Sequence, residues 1–192
     1  EALAKIVSNN NLIGVDMGGT SFDVSLVVDG VPDVSTEANL EGLPMLMSIV
    51  NIHTIGAGGG SVAWIEAGGL RVGPRSAGAQ PGPACYGRGG TEPTVTDANF
   101  VLGRVDAENF AGGQMRLDRE AAARALETVG AELGFDVIEM AEGICNVANS
   151  QMAQAIRTIT ISRGIEPRDF SLVAFGGAGP RHAVFLAKEL GI

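Results

Sequence analysis

Two glycine turns in this chain sit beside residues that can handle phosphate. The first is Gly14-Val15-Asp16-Met17-Gly18-Gly19-Thr20-Ser21-Phe22-Asp23. Successive amides of a glycine turn can point into one concavity and bind anionic oxygens. A side chain at Gly18 or Gly19 would block that approach, and Thr20 and Ser21 add hydroxyls. Asp16, at the end of an apolar run, can hold a Mg²⁺ ion. Asp23 can do likewise or tether the turn. The second is Phe175-Gly176-Gly177-Ala178-Gly179-Pro180, between an apolar run and an amphipathic one. There the free amides and positive end of a helix meet a turn narrow enough for a flat ring to lie on backbone. An ordinary hairpin and an ordinary strand–helix connection are the plain alternatives for each turn alone.

His53 precedes a third glycine cluster, Gly56–Gly60. A histidine at a strand end suits a metal ligand, a general base or a satisfied structural residue. Asp97 and Cys85 follow in a glycine- and proline-rich stretch, where they could join His53 as ligands of a transition metal. The expected catalytic groups are Asp16, Asp23 and His53, and the expected metal ligands Asp16, His53 and Asp97. Gly18, Gly19, Thr20, Ser21, Gly176, Gly177, Ala178 and Gly179 are the expected cofactor-binding residues. Arg71, Arg75 and Arg88 flank the glycine-rich stretch, either as surface cations or facing an anion.

The elements that must position these groups follow from local pattern. Leu12–Asp16 and Phe22–Val28 predict strands, and Asp29-Gly30 predicts a turn into a third strand over 31–36. A strand follows GGT here, not a helix, and GxxxxGK[ST] is missing, so neither a P-loop nor a dinucleotide fingerprint is present. Ser48–Ile55 predicts a strand, and 62–66 with 70–72 a hairpin. Residues 73–94 predict a long loop of the kind that covers sites. Thr96-Asp97 predicts a cap for a short helix through Gly103. Asp118 caps a helix over 119–133 that ends at Gly134, and 137–162 predicts a long helix. Its stripe of Met140, Ile144, Val147, Met152, Ile156 and Ile159 belongs in the core. Ser171–Phe175 predicts a buried strand and 181–190 a helix, with His182 in its first turn, either facing solvent or touching nucleotide.

The chain has 192 residues, 45% of them hydrophobic, enough for one large domain or lobe. Its 28 glycines are about twice the usual share of roughly 7%. A net charge of −9 argues against nucleic acid or an anionic membrane as partner, since both call for basic patches. Cys85 and Cys145 have no CxxC spacing, which suits a reducing cytoplasm. No apolar run reaches the ~18 residues of a membrane span. The start at Glu1 and the end at Ile192 lead us to expect a single lobe, 1–192, cut from a larger protein, with a glycine-rich insertion over about 48–104.

The segments GVDMGGTSFDVSLV, IHTIGAGGGSVAWIEAGGLRVGPRSAGAQPGPACYGRGGTEPTVTDANFVLGR and AQAIRTITISRGIEPRDFSLVAFGGAGPRHA resemble the hydantoinase A/5-oxoprolinase family. That family lies within the actin/hexokinase/Hsp70 ATPase superfamily. The three segments cover well over half the chain, in order. The resemblance implies an α/β, RNase H-like lobe whose mixed sheet opens in a three-stranded meander, with flanking helices. It implies ATP with Mg²⁺ and the ATP-driven opening of a cyclic amide such as a hydantoin or 5-oxoproline, or ketone carboxylation. It further implies a partner of hydantoinase B type and a first ATPase lobe outside this chain, this lobe being the second. A sugar or small-molecule kinase and a chaperone-like ATPase stay open as alternatives. The family often carries Asp where this chain has Asn51, which weakens a metal reading there.

Overall fold

A computed structural model describes residues 6–40 and 43–192. Strand β1 (Leu12–Met17) and strand β2 (Phe22–Val28) form the expected antiparallel hairpin, with Asp16 opposite Asp23 and Met17 opposite Phe22. The third strand position is filled by two pieces. Strand β3 (Val31–Pro32) pairs with Val27 and Val28, while β6 (Ile52–Ile55) pairs with Phe22–Ser25 on the same strand. Between them the chain leaves as a ribbon, β4 (Val34–Leu40) with β5 (Leu43–Val50). The strands expected over 31–36 and 48–55 are therefore each divided. Asn51 marks the second break: its N–H donates to the Asp33 carbonyl at 2.9 Å and its Nδ2 to the Asp33 carboxylate at 3.2 Å. Arg163 is ion-paired to that carboxylate, so Asn51 belongs to a structural corner.

Strand β7 (Ser61–Glu66) and strand β8 (Gly69–Ser76) form a separate hairpin. It is not a loose insertion. Gln151 Nε2 on the long helix donates to the Val72 carbonyl at 3.0 Å, and within the hairpin Trp64 Nε1 donates to the Gly73 carbonyl at 3.0 Å. Strand β9 (Ser171–Phe175) lies parallel to β1, placing Phe175 beside Asp16. The main sheet runs β3-β2-β1-β9, with β6 also on β2.

Alternation decides which face of the hairpin is core. Ile13, Val15, Met17, Phe22, Val24 and Leu26 are fully buried or nearly so. They meet helix α3 (Val137–Ile161), whose residues Met140, Ile144, Met152 and Ile156 are fully buried. Each such side chain contributes about 1.5–3 kcal/mol of burial. Val147, expected in that stripe, is only partly buried.

Helix α1 (Val95–Val101), helix α2 (Arg119–Leu133) and α3 are each capped by a side chain: Thr94, Asp118 and Asp136. Helix α4 (Gly179–Leu190) begins at Ala178 with no side-chain cap. The result is the RNase H-like, actin-like ATPase lobe that the sequence resemblance implied. Among the described residues no helix is long and apolar enough to cross a membrane.

Candidate functional site

The three glycine clusters meet at one end of the sheet. Gly59 and Gly60 donate to the carbonyls of Gly18 and Gly19 at 2.9 and 2.7 Å, and Ala178 donates to the Met17 carbonyl at 2.9 Å. Thr96 secures the middle loop from α1, its N–H and Oγ1 both reaching the Gly59 carbonyl at 2.8 Å. Beside this junction lies a pocket of about 440 Å³. Its lining includes Gly18, Gly19, Gly59, Gly177 and Ala178 from the glycine turns, Arg181 from α4, and Tyr86, Asp106, Asn109 and Phe110.

The glycines divide by what a Cβ would meet. At Gly18, Gly19 and Gly177 a Cβ meets nothing within 4 Å, so it would project into open space where a ligand could approach the backbone. At Gly58 it would press on the Gly19–Thr20 backbone, at Gly60 on the Gly19 carbonyl, and at Gly176 on Asp16 and Met17. Those three are glycine because the loops touch there. Gly179 is buried, with its Cβ position 3.5 Å from the Met17 nitrogen, and it packs the turn without lining the pocket.

The hairpin tip offers donors. Gly18 N–H closes the turn on the Ser21 carbonyl at 3.2 Å. Among the described residues the amides of Gly19, Thr20 and Gly177 meet no backbone acceptor. The start of α4 adds the positive end of its dipole, although Ala178 donates to Met17, Pro180 has no N–H and Arg181 donates to the Ala178 carbonyl. Arg181 supplies the cation. It is half-buried against Tyr86, and burial lowers its pKa while raising that of the tyrosine. Sequence reasoning passed over Arg181; its signal was a cation one residue past the glycine-proline turn. Arg71 and Arg75 are tied to Glu66 and Glu92, and Arg88 is exposed. None of the three lines this pocket.

Asp16 and Asp23 stand together on the face of the sheet turned away from the core, where Thr54 and Phe175 complete a cleft of about 510 Å³. Ser21 Oγ donates to Asp23 at 3.0 Å and Thr54 Oγ1 donates to it at 2.5 Å. Asp23 and Ser21 therefore tether the turn. Asp16 is exposed and has no side-chain hydrogen bond among the described residues, which leaves its carboxylate available.

Two expected groups fall elsewhere. His53 pairs with Val24, a core-facing residue, whereas its neighbour Thr54 pairs with Asp23. Strand alternation therefore sends His53 to the helix side, where it lines a separate groove of about 670 Å³ with Trp64, Gln151 and Thr158. It cannot join Asp16 and Asp23 in one catalytic set. Asp97 is fully buried at the start of α1. Its carboxylate accepts from the N–H groups of Ala84, Cys85 and Thr94 at 3.2, 2.7 and 2.9 Å, and from Thr94 Oγ1 at 2.7 Å. With four donors around it, Asp97 is a structural clamp and not a metal ligand. Cys85 is buried, and burial raises its thiol pKa far above the ordinary value. Among the described residues no three His, Cys, Asp or Glu side chains are grouped to hold a metal. His182, expected to face solvent, is fully buried.

Comparison with known proteins identifies the family. The hydantoinase/oxoprolinase family model matches residues 1–192. Caprolactamase subunit alpha of Pseudomonas jessenii is 47% identical over 184 residues, covering 95% of this chain and 26% of that protein. The 5-oxoprolinase of Saccharomyces cerevisiae is 41% identical over 197 residues, covering 96% and 15%. The crystal structure of ATP-dependent caprolactamase from Pseudomonas jessenii superposes with a TM-score of 0.90 at 44% identity, over 99% of this chain and 28% of that one. A nucleotide-free acetone carboxylase superposes with a TM-score of 0.88 at 29% identity, over 100% and 27%. This chain thus spans less than a third of the length of each of these relatives. A family match along the whole sequence, on the glycine junction just described, places the chain in the hydantoinase/oxoprolinase family.

Proposed function

We propose that this chain is one ATPase lobe, the second of two, of an enzyme that spends ATP to open a cyclic amide. The observation that carries the reading is the pocket where Gly18, Gly19 and Gly177, each with an open Cβ position, meet Arg181 and the uncapped start of α4. Free amides, a dipole end and one cation are what a polyphosphate needs in a chain of net charge −9. The residues fit ATP: a Cβ at any of the three glycines would fill space that phosphate oxygens or a ring would take. Asp16, with its uncommitted carboxylate, would hold Mg²⁺, and Asp23 would keep the hairpin in register beneath it. The ion would neutralise phosphate charge during transfer. The chemistry suited to such a site is transfer of the γ-phosphoryl group of ATP, with release of ADP, to the oxygen of a carbonyl whose carbon is a weak electrophile, which opens that carbon to attack. A small cyclic amide is the substrate, and a first lobe together with a hydantoinase B-type partner completes the site. The two cysteines are free and buried, which suits a cytoplasmic enzyme.

The likeness to acetone carboxylase favours a second reading, in which the activated carbonyl is a ketone. Titration of Mg-ATP into the full-length protein tests the shared premise. Gly177→Val and Asp16→Ala each weaken binding, and unchanged affinity in both overturns the proposal. Phosphate release measured with the partner present separates the two readings. Release on adding a lactam, hydantoin or 5-oxoproline, with ring-opened product, supports the hydrolase. Release only with a ketone and bicarbonate supports the carboxylase.

A further inference from the structure

One buried polar chain connects the two walls of the glycine pocket. His182 lies beside Arg181 in the first turn of α4. Its Nδ1 is 2.7 Å from Asn149 Oδ1 on α3, and its Nε2 is 3.1 Å from Asn99 Nδ2 on α1. An amide oxygen only accepts, so Nδ1 carries the proton and Nε2 accepts from Asn99, which fixes one neutral tautomer. Both amide protons of Asn99 are used. Its Nδ2 also donates to the Val95 carbonyl at 3.0 Å, and its Oδ1 accepts from Arg104 Nη1 at 3.3 Å. The Arg104 guanidinium returns to α4, lying 4.6 Å from the ring centroid of Phe185. Arg104 directly precedes the segment whose Asp106, Asn109 and Phe110 line the same pocket as Arg181.

We propose that His182 is a positioning residue that, through Nε2, Asn99 and Arg104, sets the spacing between the α4 wall and the 105–111 wall of the nucleotide pocket. The inference rests on reading that pocket as the ATP site. A rigid five-membered ring suits the task because it bonds two helices from one side chain. Asparagine can imitate only its Nδ1 and glutamine only its Nε2. Asn149 then anchors the ring, and Asn99 transmits its position.

The test uses the full-length enzyme with its partner and measures ATP KM, kcat and melting temperature. His182→Asn keeps the Asn149 bond and loses Asn99. It is expected to raise the KM for ATP about tenfold, with kcat within about twofold of the parent. His182→Gln keeps the Asn99 bond and is expected to raise KM less than threefold, although both variants lose similar stability. Arg104→Leu cuts the chain from its partly exposed end, so it stays informative even where a His182 variant fails to fold. It is expected to raise KM about fivefold, and combining it with His182→Asn adds little further. Equal KM effects in the two His182 variants, following their melting temperatures, would reduce the ring to packing and overturn the proposal. An unchanged KM in Arg104→Leu would do the same. Failure of the unmodified enzyme to bind ATP would instead remove the reading beneath it.

Discussion

Oδ1 of Asp16 stands in the volume that a Cβ on Gly176 would need, and the Met17 carbonyl closes the same volume from beside it. The first glycine turn and the second are thus fitted to each other at the level of single atoms. The acid at the end of β1 is held against the turn that follows β9. Gly176 also has a φ of +80°, a conformation that L side chains rarely adopt.

Two neighbouring glycines should therefore behave in opposite ways. Gly176→Ala is expected to cost about 2–4 kcal/mol, from the left-handed backbone and the collision with Asp16 and Met17. Gly177→Ala has open space and is expected to stay within about 0.5 kcal/mol of the parent. Urea unfolding reads both. Gly177→Ala should weaken ATP binding all the same, and a stable variant with parental affinity would show that the pocket does not hold nucleotide over Gly177.

Asp16 and Asp23 face each other but should not be equivalent. Asp16→Asn is expected to lower kcat by about 100-fold and to raise the Mg²⁺ concentration for half-maximal activity, with little change in stability. Asp23→Asn keeps an acceptor for Ser21 or Thr54 and should cost less activity while destabilising the hairpin measurably. Steady-state kinetics across a Mg²⁺ titration, beside thermal melts, reads the contrast. A larger activity loss at Asp23 would reverse the assignment.

Asp97→Asn should be a stability mutation without a metal phenotype. The new amide group would face either the Cys85 N–H or the donors of Ala84 and Thr94, so a loss of about 3 kcal/mol is expected from unpaired buried N–H groups. Elemental analysis of the purified variant should show the same metal content as the parent. A selective loss of a transition metal would restore Asp97 as a ligand.

His182 gives the fold a specific acid sensitivity. Burial, and then the positive charges of Arg104 and Arg181, lower its pKa to about 4 from an ordinary 6.5. Its hydrogen-bond partners are the uncharged Asn99 and Asn149. Above pH 6.5 neither the folded nor the unfolded state carries the proton, and the full stability is present. Between pH 6.5 and about 4 the unfolded chain binds a proton that the folded one refuses, so stability falls as pH falls, by up to about 3 kcal/mol. Urea midpoints from pH 4 to 7 should show this slope in the parent and not in His182→Asn. Equal slopes in both would place the acid sensitivity elsewhere.

Much of the architecture was legible because it is written in local signals. Asp118 and Gly134 bracket α2 as cap and left-handed stop, β9 has the predicted limits, and the period of α3 names most of its buried face. The third strand was not legible. Its two pieces share one edge of β2 only because a ribbon leaves and returns between them, and Asn51 bonds to Asp33 across 18 residues. The short helix was expected from Thr96-Asp97, and the true cap is Thr94 with Asp97 closing the capping box.

The sequence by itself determined the family, the glycine turns and the acids attached to them, because turn chemistry and helix caps act over a few residues. The tertiary structure decided what each of those residues does. Parity along β6 turned His53 away from Asp23, since neighbouring strand residues point to opposite faces. Burial made Asp97 a clamp and His182 a link, because a polar group out of water takes whatever partners the fold brings to it. Contact between distant loops separated Gly176 from Gly177. The two carry identical side chains, and only the space around each Cα distinguishes a glycine that holds the loops together from one that leaves room for a ligand.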